Sequence, residues 1–99
     1  MYKAILLPLA KEDIKEAATW YNSKQKGLGK RFTQEVRSKF LLIRKNPKIS
    51  AVRYDDVRTT VLDVFPFMMH YTVNDEKQTV IISAVFHTSL NPDKWRNRK

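Results

Sequence analysis

The stretch from Val57 to Phe86, VRTTVLDVFPFMMHYTVNDEKQTVIISAVF, decides the fold. Its apolar residues recur with a period of two: Val57, Thr59, Val61, Asp63 and Phe65 alternate with Arg58, Thr60, Leu62 and Val64. Beyond Pro66, Phe67, Met69, Tyr71 and Val73 alternate with Met68, His70 and Thr72. Side chains of a strand point alternately to its two faces, so this pattern predicts two strands, with Pro66 marking the turn between them. Asn74 to Lys77 form a polar turn, and Thr79–Phe86 is apolar enough to be a strand buried on both faces, which predicts a central place in the sheet.

Upstream of this stretch the period changes. Phe32, Val36, Phe40 and Ile43 are spaced by four, four and three, the signature of a helix with one apolar face, and Pro47 stops it at Asn46 because the residue before a proline disfavours helical geometry. Ile14, Ala17, Ala18 and Tyr21 mark an earlier amphipathic helix, and Gly27 and Gly29 frame the connection between the two, predicting an antiparallel hairpin. Trp20, Tyr21 and Phe32 read as the seam between helices and sheet. Tyr2–Leu7, closed by Pro8, reads as an opening strand. The expected class is α+β, a helical hairpin packed on an antiparallel sheet in the order β-α-α-β-β-β, as a single domain over residues 1–99.

The chain has no cysteine, which excludes disulfides, thiolate zinc sites and a cysteine nucleophile. Its two histidines, His70 and His87, have no spaced carboxylate partners, so neither a metal nor a cofactor is expected. The apolar run from Ala4 to Leu7 is too short for a signal peptide or a membrane span, and a cytoplasmic location with no membrane partner is the expectation.

The charge of +9 is unevenly placed. Residues 22–58 hold eleven basic and three acidic groups, and residues 87–99 hold four and one, whereas residues 1–21 are neutral and residues 59–86 carry a net −2. In the run Lys24, Lys26, Lys30, Arg31, Arg37, Lys39, Arg44, Lys45 and Lys48 only Glu35 interrupts the cations, so an anionic partner is expected. In the tail, Pro92 directs the chain after the last strand, and Trp95 is expected to fold back and hold Arg96 and Arg98 at the sheet edge.

Ala10, Asp13 and Ile14, then Gly27-Leu28-Gly29 with Arg31-Phe32, Asn46-Pro47, Val57-Arg58, Phe65-Pro66-Phe67 with Tyr71, Ala84-Val85-Phe86-His87, and Asn91-Pro92 with Trp95 together resemble the RelE/ParE toxins of type II toxin–antitoxin modules, over nearly the whole chain. The resemblance implies the same helical hairpin on a sheet, a role in plasmid stabilisation and growth inhibition, and a cognate antitoxin, acidic to match the cations. It also implies one of two mechanisms: RelE-like members cleave messenger RNA on the ribosome, and ParE-like members poison DNA gyrase.

Cleavage through a ribose 2′-hydroxyl needs a base, an acid and cations for the charged phosphorane. Where RelE-type members carry Arg, Arg and a C-terminal Tyr or His, this sequence has Met68, Thr88 and Trp95, which favours the ParE-like branch. The catalytic candidates for a metal-independent nuclease are His87 and Arg58. Arg53, Arg58, Arg96, Arg98, Trp95, Lys30, Arg31 and Arg37 are the candidates for binding a target or antitoxin. A plain nucleic-acid-binding module is the third class, and the oligomeric state is left open.

Overall fold

The computed structural model describes the backbone of residues 1–98 and the side chains of residues 1–96. Its elements are β1 (Lys3–Leu6), α1 (Pro8–Lys24), α2 (Leu28–Lys45), β2 (Val52–Tyr54), β3 (Val57–Val61), β4 (Phe67–Asn74), β5 (Thr79–His87) and a C-terminal 3₁₀ helix, Pro92–Arg98. The strands form one sheet in the order β1-β5-β4-β3-β2. Both helices lie on one face of it.

Three features of the sheet differ from the sequence reading. The short strand β2 was not foreseen, because only three residues make it and two of them are exposed. It is joined to β3 by Asp55-Asp56, with Asp55 at φ 50°, a left-handed turn that aspartate tolerates without glycine. The sheet is also mixed, not antiparallel throughout. The helical hairpin carries the chain from β1 to the far edge, the meander β2-β3-β4-β5 returns it, and β5 then runs parallel to β1, with Ala4 opposite Val80 and Leu6 opposite Ile82.

The predicted strand through Phe65 ends early, at Val61. The carboxylate of Glu35 on α2 accepts the backbone N–H groups of Asp63 and Val64 there, so these amides serve a turn and not a ladder. Leu62 and Phe65 then drop into the core with Phe32, Val36 and Ile43 of α2.

The hairpin closes tightly. Gly27 takes φ 88° before α2, and a Cβ on Gly29 would lie 2.3 Å from the carbonyl oxygen of Ala18, so the second glycine is what lets the two helices touch. Alternation on β4 divides the sheet's two faces. Phe67, Met69, Tyr71 and Val73 pack toward the helices, with the Tyr71 hydroxyl donating to the Pro47 carbonyl at 2.7 Å. Met68 faces the other way, and there Ala84, Phe86 and Trp95 join it in a second, smaller core. A register shift beside His70 and Tyr71 skips Ser83 on β5, which sends Ile82 and Val85 to the helix side and Ala84 and Phe86 to the far side.

Candidate functional site

The far face of the sheet is where charge and aromatic surface converge. Trp95, only 6% exposed, folds back from the 3₁₀ helix onto this face. Its ring meets His70 edge-on at 4.9 Å and lies 5.4 Å from Tyr54. His70, on the even-numbered side of β4, is fully buried; its Nδ1 and the Tyr54 hydroxyl are 3.1 Å apart, and Phe86 packs against it at 5.0 Å. Two guanidinium groups cover this cluster: Arg53 lies 5.6 Å over the Trp95 ring and Arg96 lies 5.6 Å over the Tyr54 ring. Arg96 Nε is also 3.5 Å from Asp55. Both arginines are exposed, so their guanidinium groups remain within reach of carboxylate or phosphate oxygens. Burial pushes the Tyr54 hydroxyl pKa up, with Asp55 adding to the rise and Arg96 opposing it.

The candidates from the sequence therefore fall on separate surfaces. Arg53, Trp95 and Arg96 come together on the far face, while the side chain of Arg98 lies outside the described residues. Arg58 is opposite Tyr71 and so faces the helix side, where its Nη1 donates to the Ser50 carbonyl at 2.6 Å and braces the loop after α2. His87 is opposite Phe67 and also faces the helix side, with the two rings 5.1 Å apart. The Ser89 N–H donates to His87 Nδ1 at 3.0 Å, so the neutral ring carries its proton on Nε2. His87 is two strands across and four residues along from Arg58, about 16 Å between Cα atoms, too far to serve one phosphate together.

Lys30, Arg31 and Arg37 stand exposed on α2, and none of the three cations pairs with a carboxylate among the described residues. Tyr54 and Asp55 were missed as site residues; the only sequence signal for them is the Val52–Tyr54 alternation before an Asp-Asp turn. Trp20, expected in the seam, is instead 56% exposed, because it lies one position around α1 from Tyr21, which does reach the Phe32 and Phe65 rings.

Among the described residues no group of three or more His, Asp or Glu side chains could hold a metal ion, and no helix is long and apolar enough to cross a membrane.

This architecture, two helices on one face of a five-stranded mixed sheet, is that of the RelE/ParE superfamily. Residues 4–92 match the model of the ParE toxin of type II toxin–antitoxin systems, parDE, and the chain belongs to that family. No curated protein matches the sequence. Among solved structures, a chain of the chromosomal ParDE system of P. aeruginosa is similar, with a TM-score of 0.75 and 16% identity over 88% of this chain and 96% of that one. A chain of the intact E. coli RelBE toxin–antitoxin complex superposes with a TM-score of 0.70 and 19% identity over 88% and 96%. The isolated E. coli RelE toxin gives 0.70 and 17% over 98% and 95%. At these identities the structural likeness speaks for the fold.

Proposed function

We propose that this chain is a growth-inhibiting toxin that acts by binding DNA gyrase, and that a cognate acidic antitoxin neutralises it. One observation carries the choice of a binding mechanism over RNA cleavage: the catalytic candidate His87 and the paired arginines are not gathered at one point. His87 is on the helix side, and Arg53 and Arg96 are on the far side. Met68, at a position where the RelE-type resemblance calls for arginine, is buried in the second core with Trp95. Family membership supports the toxin and its partnership with an antitoxin, and the unpaired cations of α2 supply the surface an acidic chain would neutralise.

The alternative, ribosome-dependent messenger cleavage, draws support from the Tyr54–His70 pair flanked by Arg53 and Arg96. Burial opposes it, since a tyrosine with a raised pKa is a poor base near neutrality. The deciding experiment is induction of the chain in bacteria together with assays of the purified protein on gyrase supercoiling and on ribosome-bound messenger. Loss of supercoiling activity with intact messenger is expected. Messenger cleavage with unaffected gyrase would overturn the reading.

A further inference from the structure

The groove between α1 and the end of β5 runs against the charge of the molecule. The chain carries +9, yet among the described residues the groove walls hold Asp13 and Glu16 and no lysine or arginine, around an apolar space of about 380 Å³. The space continues past Trp20 and Phe67 into a second hollow of about 310 Å³, which among the described residues holds no carboxylate or ammonium side chain.

The local structure explains why the groove exists and what fits it. β1 stops pairing with β5 at Ile82, so among the described residues the edge of β5 beyond that residue has no strand beside it. Asp13 accepts the Val85 N–H at 3.0 Å, which closes that position to an added strand. What remains open is room for side chains, floored by Trp20 and Phe67. Glu16 is three residues from Asp13, hence on the same side of α1, and pairs with no cation among the described residues. The Trp20 indole already attracts one cation: Lys24 Nζ lies 5.2 Å from its centroid.

We infer that this groove docks a partner protein through an arginine or lysine flanked by apolar residues, with the aliphatic stem against Trp20 and Phe67 and the charged head at Glu16. An acidic side chain would be repelled by Glu16, and a purely apolar one would desolvate Glu16 with nothing to replace water. A long cationic side chain satisfies both walls at once. The inference concerns the groove's chemistry and stands apart from the choice of gyrase as target.

The test uses two synthetic peptides, acetyl-Leu-Ala-Arg-Leu-Ala-amide and its counterpart with Glu in place of Arg, titrated into the full chain and followed by backbone amide shifts. The arginine peptide is expected to shift the amides of Ala17, Trp20 and His87 and to bind about tenfold more tightly than the glutamate peptide. Glu16→Lys should reverse that order, and Trp20→Ala should weaken the arginine peptide. Both side chains are exposed, so both variants should keep the wild-type melting temperature within a few degrees, which the same samples can report. Equal binding of the two peptides, shifts confined to α2, no binding of the arginine peptide, or a preference that survives Glu16→Lys would each overturn the inference.

Discussion

Removing Trp95 tests whether the tail is part of the fold or an appendage. The indole is 6% exposed and packs with Met68, Ala84 and Phe86, so Trp95→Ala strips the cover from the far face of the sheet. About 200 Å² of buried aromatic surface at about 25 cal/mol per Å² sets an upper limit near 5 kcal/mol. The site lies close to the chain end and can relax, and the 3₁₀ helix regains freedom once released, which brings the expected loss to about 3 kcal/mol. For a chain of this length that is a fall in melting temperature of roughly 15 °C. Trp95→Phe should cost only about 1 kcal/mol, because the indole Nε1 is buried with no hydrogen-bond partner among the described residues and a phenyl ring strands no donor. Urea unfolding gives the two free energies, and the methyl resonances of Met68 and Ala84, displaced by the indole ring current in the wild type, report the local change. A loss under about 1 kcal/mol for Trp95→Ala, with those resonances unmoved, would refute the idea that this residue seals the second core.

Gly29→Ala should destabilise the protein by about 3 kcal/mol, since its Cβ would meet the Ala18 carbonyl, whereas Gly27→Ala, with open space around it, should cost about 1 kcal/mol for its left-handed backbone alone; thermal unfolding of the pair measures the difference. Asp75 has its pKa lowered by hydrogen bonds from Lys48 first and Tyr2 second. Its contribution is thus complete above the ordinary carboxylate range near pH 4 and fades as pH falls toward the lower folded value, so Asp75→Asn should flatten the acid limb of a stability–pH curve. Replacing Lys30, Arg31 and Arg37 together with Glu should slow association with an acidic antitoxin by about ten- to a hundredfold at low salt and leave less effect at high salt, as stopped-flow binding would show. Replacing Arg53 and Arg96 with Glu should abolish toxicity at equal soluble expression while the melting temperature moves little, and retained growth arrest would remove the far-face arginines from the mechanism.

Both helices and the three long strands were legible because each buries a face with its own period: Phe32, Val36 and Ile43 on α2, and Phe67, Met69 and Tyr71 on β4. What escaped depends on partners distant in sequence. Val61 ends its strand because Glu35, on another element, takes the next amides. Parallel pairing of β1 follows from where the hairpin delivers the chain, which no alternation of side chains encodes. The candidate surface was less legible than the fold. Trp95 announced itself as an apolar residue in a charged tail, but its neighbours Tyr54 and His70 are recruited from two strands, and Tyr54 sits on one too short to carry a pattern.

The parallel pairing of β1 with β5 also governs when the molecule can exist. Among the described residues the first strand pairs with residues 79–82 alone, so it waits, unpaired, until those residues have been made. At usual elongation rates that interval is roughly 4 to 15 s. The helical hairpin can form meanwhile from local contacts, but the sheet cannot close, and neither the arginine-capped face nor the α1–β5 groove is assembled before then. A chain cut short before the last strand therefore never assembles either surface.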